Sequence, residues 1–258
     1  MVPILYECAW FSIKSYGFFI ALAIGSGLIL AQKDKILTDL LSSEKLIDLT
    51  SYLLLSGVIG GRILFLLESN IPITSLYEIL AVWNGGLSVS GALISTIAIT
   101  IIYLRSYKIS LLPTLDHLAI YVLLIYSISR IGCFFAGCCH GITSSGIFCI
   151  SYTHPASLAA THLPVLPTQL ISSCLLFCCF LFLYHQKNEP FFTGKLTGYF
   201  LFFIGLERFF IDFIRYDHQP FWLFFSHTQL ISSCFIIAGL ITLFYNKVIY
   251  QHLKRLNI

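Results

Sequence analysis

The chain has 258 residues, 57% of them apolar and only 10% charged, with a formal net charge of +3. A soluble domain normally carries about 25% charged residues. This chain cannot cover itself with charge, so an ordinary water-soluble enzyme is excluded, no nucleic-acid partner is expected, and the chain belongs in lipid.

No cleavable signal peptide is expected at the start: Glu7 and Lys14 precede the first apolar run and no small-residue cleavage site follows it. That run, 16–31, opens on Tyr16–Gly17. Six more follow at 46–67, 87–104, 115–131, 168–184, 196–214 and 228–245. They are near the ~20 residues needed to cross ~30 Å of hydrocarbon. The predicted fold is an all-α membrane protein, one polytopic domain over residues 1–258 built as a seven-transmembrane-helix bundle. The second run carries Gly60, Gly61 and Arg62 near its end. The third is entered through Trp83, Asn84, Gly85 and Gly86 and holds Ser90. The fourth ends at Arg130 inside the stretch SISRIGCFFAGCCHG, Ser127 to Gly141. The sixth holds Glu207, Arg208 and Asp212, with Arg215 at its tip. The fifth and seventh both open with TQLISSC, at 168–174 and 228–234. The surroundings do not repeat, which favours convergence on one local role: the threonine caps the helix, and Gln169 and Gln229 turn a polar group toward the outer side or toward a neighbouring helix.

The basic residues orient the bundle. Lys33, Lys35, Lys45, Arg105, Lys108, Lys187, Lys195, Lys247, Lys254 and Arg255 all fall on one side if there are seven crossings. The opposite loops, 69–86, 132–167 and 216–227, contain no Lys or Arg. The positive-inside rule puts the N-terminus outside and the C-terminus in the cytoplasm. Arg62, Arg130, Arg208 and Arg215 then reach similar depth near the outer headgroups, from three helices. An intramembrane arginine costs ~2.5–3.5 kcal/mol on insertion scales. Local pairing with Glu68, Glu78, Glu207, Asp212 or Asp217 answers that cost for any single one, Arg208 and Asp212 being four apart on one helix face. For all four, the reading is an anion pocket, because guanidinium forks bind phosphate bidentately and the abundant phosphate at that depth is a phospholipid headgroup. The glycines allow close backbone approach at the same level, with helix packing as the ordinary alternative.

Most of the nine cysteines read as small buried hydrophobes. Cys133, Cys138, Cys139 and Cys149 lie with His140, His154 and His162 in the loop that faces outward. No metal is expected there, because adjacent Cys138 and Cys139 followed by His140 point in different directions and no second pair sits at zinc spacing. The readings left open are a disulfide, in an oxidising compartment, and a pocket wall built from cysteines.

These motifs resemble, nearly end to end, those of the bacterial phosphatidylglycerol–prolipoprotein diacylglyceryl transferases. SIKSYGFFIALAIG resembles the family's first-span motif, with Tyr16–Gly17 as its Tyr-Gly. GGRILFLLE resembles its Gly-Gly-Arg segment. VWNGGLSVSGALI is similar to Gly-Gly-(Leu/Met)-Ser-Phe-His-Gly-Gly, and SRIGCFFAGCCHG to the signature Arg-Ile-Gly-Asn-Phe-(Ile/Leu)-Asn-Gly-Glu. LPTQL matches His-Pro-Ser-Gln-Leu, and ERFFIDFIR matches Arg-Phe-x-x-Glu-Phe-x-Arg. The resemblance implies transfer of diacylglycerol from phosphatidylglycerol to the lipobox cysteine of a preprolipoprotein, at the periplasmic face of the inner membrane, with no cofactor. Arg130 and Arg208 match the family's two essential arginines and would hold the phosphate and stabilise the leaving group. With Tyr16 and His140 they form the expected catalytic set. Arg62, Asn84, Gly85, Gly86, Ser90, Cys133, Gly141, Gln169, Asp212 and Arg215 form the expected substrate-binding set. The chain departs from the family pattern at Ser90 for histidine, Cys133 for asparagine, Cys138 for glutamate and Asp212 for glutamate. Ser90 is no base at neutral pH, and His140 is the candidate substitute.

Three rival classes remain. A thiol–disulfide oxidoreductase would use Cys138 and Cys139, against the absence of a Cys-x-x-Cys. A transporter would spread polar residues through the membrane, whereas the inner halves here read as Leu, Ile and Phe. A family member that binds anionic phospholipid without turnover, or modifies a different acceptor, is the third.

Overall fold

The computed structural model describes residues 2–8, 11–69, 86–159, 162–188, 193–222 and 224–255. Strands β1 (Ile4–Cys8) and β2 (Phe11–Lys14) pair antiparallel and lead into α1 (Ser15–Gln32). A short α2 (Lys35–Leu40), capped by the Asp34 carboxylate, precedes α3 (Ser43–Glu68). Then come α4 (Val89–Ser106) and α5 (Leu111–Ala136). Strands β3 (Ile150–Ser151) and β4 (Pro164–Val165) form a hairpin before α6 (Thr168–Gln186). Helix α7 (Lys195–Phe213), strands β5 (Pro220–Trp222) and β6 (Phe225–Ser226), and α8 (His227–Arg255) complete the chain.

Each of the seven predicted runs becomes a helix. Six of them, α1, α3, α4, α5, α6 and the first part of α8, are long and apolar enough to cross a membrane. The seventh, α7, has 19 residues, a rise of about 28 Å, and carries Lys195, Glu207, Arg208 and Asp212. The β-hairpins and α2 have no counterpart in the apolar pattern, because strands of two to five residues leave no periodicity to read.

The chain divides into two compact units, Gln32–Thr114 and Met1–Ala31 with Leu115–Ile258. In the smaller unit, α3 and α4 cross backbone to backbone. A Cβ on Gly91 would stand 2.3 Å from the Gly60 carbonyl oxygen. Small residues at a crossing let helices gain dispersion contact where lipid offers no hydrophobic drive. The Ser95 hydroxyl seals the crossing by donating to the Ser56 carbonyl at 2.8 Å. The glycines GVIGGRI and NGGLSVSGA are thus packing residues at Gly60 and Gly91.

In the larger unit α5 is the most buried of the apolar helices. It packs on α1 through Phe19 and Phe135, stacked at 5.1 Å. It is clamped to α6 by reciprocal bonds: Ser127 donates to the Ser173 carbonyl and Ser173 to that of Ser127, each at 2.9 Å. Helix α7 packs on α8 along Gly198, Gly205 and Gly239, where added Cβ atoms would meet backbone or side chain within 2.7–2.8 Å. At the other end of α5 from Arg130, buried Asp116 caps α7. Its carboxylate accepts from the Gly194 and Thr197 amides at 2.6 and 2.7 Å and from the Thr197 hydroxyl at 2.7 Å. The expectation that this end holds only Leu, Ile and Phe is therefore corrected, since Asp116 and His117 are both buried there. Position 116 is polar because a buried helix start leaves amides that need an acceptor.

Asp116→Ala strands those donors. We expect a stability loss of about 1–3 kcal/mol, read as a lower melting temperature of the detergent-purified protein, with Asp116→Asn recovering part of it.

Candidate active site

The site is built where α5 ends. Gly137 takes φ +79°, a left-handed conformation that glycine adopts at no steric cost. Its amide bonds the Cys133 carbonyl at 3.0 Å, and the Cys138 amide reaches the same carbonyl at 3.2 Å. The second of these is the 6→1 bond of a Schellman ending, which brings the residue after the glycine back against the last turn of the helix. Cys138 accordingly folds over Cys133. Cys139 is also left-handed, at φ +59°. That conformation costs a non-glycine residue of order 1 kcal/mol and persists only when its surroundings over-determine it.

They do so here. The Cys138 carbonyl accepts from Gln169 Nε2 at 2.6 Å, the Cys139 carbonyl from the Thr168 hydroxyl at 2.8 Å, and the His140 carbonyl from the Tyr216 amide at 3.1 Å. The Gly141 amide donates to the Leu166 carbonyl at 2.9 Å. A Cβ on Gly141 would meet the Ile214 oxygen, Leu166 and Thr168 at 2.8 Å each. Residues 138–141 are thereby fixed between the start of α6 and the end of α7.

As a result, the Sγ atoms of Cys133, Cys138 and Cys139 lie within 4.8 Å of one another. The expectation that Cys138 and Cys139 diverge is corrected: two left-handed residues in three positions turn the adjacent pair to one side. All nine cysteines are free thiols in this structure. Hydrogen bonds from Cys133 and Cys138 hold the Cys139 thiol below its ordinary pKa, assisted by Arg215 and Arg130. The bonds to Cys133 and Cys139 push Cys138 up.

Arg130 lies one helical turn before Cys133 and is 5% exposed. Its guanidinium donates to the Tyr126 hydroxyl and lies 4.6 Å from the centre of that ring. Glu207 of α7, 6% exposed, acts on it electrostatically and accepts a hydrogen bond from Ser172 of α6. Among the described residues no carboxylate forms an ion pair with Arg130. Arg130 Nε, Glu207 Oε2 and Gln169 Oε1 are buried without a hydrogen-bond partner. A single region of the unit thus holds an unused donor and two unused acceptors.

The other expected residues are placed as follows. Tyr16 begins α1 and packs on Gly132. His140 sets Nδ1 3.0 Å from the Gly141 carbonyl, and its ring lies 5.1 Å from that of Tyr216. Arg208 is half-buried on α7, with no hydrogen bond or ion pair among the described residues. The Arg208–Asp212 pairing is corrected: Asp212 is held by His218 at 2.9 Å and Ser226 at 2.5 Å. Arg215 forks onto Asp217, which keeps the Asp217 carboxyl below its usual range. Arg215, Asp217 and Asp212 line an open cleft of ≈ 390 Å³ with Gln219, Ser226, His227 and Thr228. Arg130 and Arg208 are not in its wall. Arg62 belongs to the smaller unit, where it is buried and donates to the Gly86 carbonyl at 3.1 Å. Ser90 is exposed on α4 of that unit. Asn84 and Gly85 lie outside the described residues.

A model of the family described as prolipoprotein diacylglyceryl transferase matches residues 3–245. The chain belongs to this family. It is 31% identical over 250 residues, 95% of each chain, to phosphatidylglycerol–prolipoprotein diacylglyceryl transferase 2 of Clostridium perfringens. It is 28% identical over 242 residues, 93% of this chain and 96% of the relative, to the phosphatidylglycerol–prolipoprotein diacylglyceryl transferase of Clostridium tetani. It is also 28% identical over 270 residues to the enzyme of that name from Buchnera aphidicola, covering 94% and 95% of the two chains.

Within this family member, reading the sequence missed Tyr126, Tyr152 and Ser172 at the site and treated Glu207 only as a generic counter-charge. Tyr152 is 2% exposed, burial pushes its pKa up to about 12, and its hydroxyl accepts from Gln169 Nε2 at 3.1 Å. The one available signal was helical spacing, which puts Tyr126 a turn before Arg130. The TQLISSC repeat proves to have two local roles. In α8, Ser226 and Gln229 exchange bonds at 2.9 and 3.1 Å, a capping box. In α6 the flanking residue is Pro167, which offers no side-chain cap. Thr168 and Gln169 bond the cysteine loop instead, so the expectation that Thr168 and Thr228 cap their helices is corrected at both sites.

Thr168→Val leaves the Cys139 carbonyl without its partner and should cost about 1–3 kcal/mol. Its counterpart Thr228→Val should stay close to wild type. Thermal unfolding of the two purified variants checks the difference.

Proposed function

We propose that the chain transfers diacylglycerol from phosphatidylglycerol to the lipobox cysteine of preprolipoproteins, forming a thioether. The observation that carries this reading is Arg130: a buried guanidinium with an unused Nε and, among the described residues, no carboxylate in an ion pair with it, at the position of the family's signature arginine. A cation left without an ion pair at that depth is matched to an anion that arrives. A phosphodiester suits it, since the guanidinium fork fits phosphate oxygens.

In the proposed reaction the acceptor thiolate attacks the diacylglycerol carbon that carries the phosphate. The C–O bond breaks, and glycerol phosphate leaves with the bonding electrons. Arg130 and Arg208 balance the charge that builds on the departing phosphate. Glu207 fixes the guanidinium of Arg130 through the field it exerts, while Ser172 holds the Glu207 carboxylate. His140 takes the thiol proton. With its Nδ1–H directed at the Gly141 carbonyl, Nε2 keeps a lone pair for this purpose. Tyr16 completes the proposed catalytic set; the proposed substrate-binding residues are Cys133, Gly141, Gln169, Asp212 and Arg215 in the larger unit and Arg62, Asn84, Gly85, Gly86 and Ser90 within residues 32–114.

The whole chain acts as one polytopic domain in the bacterial inner membrane. It makes seven crossings with the N-terminus outside, the C-terminus in the cytoplasm and the site toward the periplasm, where the signal-peptide region of the acceptor emerges. The distribution of Lys and Arg supports this orientation.

The test is complementation of a bacterium depleted of its own diacylglyceryl transferase. The wild-type gene is expected to restore lipoprotein maturation, whereas Arg130→Ala gives none. Arg130→Lys should retain activity reduced roughly 10²-fold, in keeping with loss of a preorganised donor. Cys138→Ser and Cys139→Ser should keep transfer. A membrane-inserted wild-type protein that gives no rescue defeats the reading, and loss confined to the cysteine variants favours redox chemistry.

A further inference from the structure

We propose that Cys133, Cys138 and Cys139 form a three-thiolate binding site for copper(I). A soft metal–thiolate bond is about 2.3 Å long, so three sulfurs around one ion stand roughly 4 Å apart. The three Sγ atoms already lie within 4.8 Å of one another. Binding therefore needs small side-chain rotations and no movement of the backbone.

The backbone is committed to this arrangement. The Schellman bonds at Gly137 and Cys138 set Cys138 against Cys133. The left-handed backbone at Cys139 turns the third sulfur to the same side. Gln169, Thr168 and Tyr216 hold the carbonyls of residues 138, 139 and 140, so the conformation is built before any ion arrives. A non-glycine residue in the left-handed region beside a cluster of ligand atoms is the kind of local cost that function retains.

The donor set selects the ion. A structural zinc site closes with four ligands. Among the described residues this group offers three sulfurs and no fourth His, Asp or Glu. Three soft thiolates without a hard or nitrogen donor suit copper(I) among the biological ions. Occupancy would also cross-link the last turn of α5 to the loop that carries His140.

The experiment titrates the reduced, detergent-purified full chain with copper(I) under anaerobic conditions, against a copper(I) chelator. Metal content is read by mass spectrometry and coordination by X-ray absorption. We expect one copper per chain with a three-sulfur shell at about 2.3 Å. Cys133→Ser, Cys138→Ser and Cys139→Ser should each weaken binding by more than the roughly 10–100-fold that loss of an outer-shell partner costs. Cys149→Ser and Cys179→Ser should match wild type. Circular dichroism and gel filtration establish that each variant is folded, and the wild-type titration stands whether or not they are. The proposal is overturned if the reduced wild type yields all its copper to the chelator, or if the metal shell contains fewer than three sulfurs. It is equally overturned if zinc displaces copper in a four-ligand shell, or if folded Cys138→Ser binds as tightly as wild type.

Discussion

Everything about the site follows from one buried guanidinium. Arg130 cannot shed its charge, and it sits near the end of the most buried helix of the chain. In an apolar setting, such a group must be surrounded by acceptors or held for an anion. The surroundings are partial by construction. Tyr126 supplies a hydroxyl and the face of a ring. Glu207 supplies negative charge without a direct ion pair; Ser172 holds its Oε1 and leaves Oε2 without a partner. A full salt bridge would neutralise the arginine and leave nothing for phosphate. A bare arginine would destabilise the helix. The arrangement lies between these limits.

The scaffold explains why such a group stays in place. Glycine seams bring α7 against α8, serine pairs lock α5 to α6, and Asp116 fixes the far end of α7. The three helices that present Arg130, Ser172 and Glu207 are therefore positioned by contacts spread along their lengths. The cysteine loop adds a second constraint. Its carbonyls are taken by α6 and by the segment after α7, so the end of α5 cannot fray without breaking several bonds at once. Rigidity of this kind is what catalysis by positioned charge requires.

The apolar runs placed the seven helices within a few residues of where they fold, except at the end of α8, which continues to Arg255, because lipid demands long uninterrupted runs. The family motifs pointed to Arg130, Gln169 and the cysteine stretch, and the structure has Gln169 bonded to the Cys138 carbonyl near the end of the helix that carries Arg130. What stayed hidden depended on backbone conformation. Nothing in Cys138–Cys139 announces a left-handed residue, so the convergence of three sulfurs was read as divergence. The repeated TQLISSC hid two roles, since the residue that decides between them, Pro167 in one case and Ser226 in the other, lies outside the repeat. Asp212 was assigned to Arg208 by helical spacing, but its partners His218 and Ser226 come from beyond the helix end, where spacing rules do not reach. In the sequence Glu207 reads as one of several acids able to pair with an arginine, because its burial and its bond to Ser172 depend on α6, which the local sequence does not encode.

The central claim is that Arg130 is kept free to hold a phospholipid phosphate. It is tested most directly by native mass spectrometry of the purified protein exchanged into detergent with phosphatidylglycerol or with the zwitterionic phosphatidylethanolamine. The account predicts a bound phosphatidylglycerol on the wild type that survives delipidation and is lost from folded Arg130→Ala, while phosphatidylethanolamine is retained equally poorly by both. Equal retention of phosphatidylglycerol by the wild type and folded Arg130→Ala would contradict it.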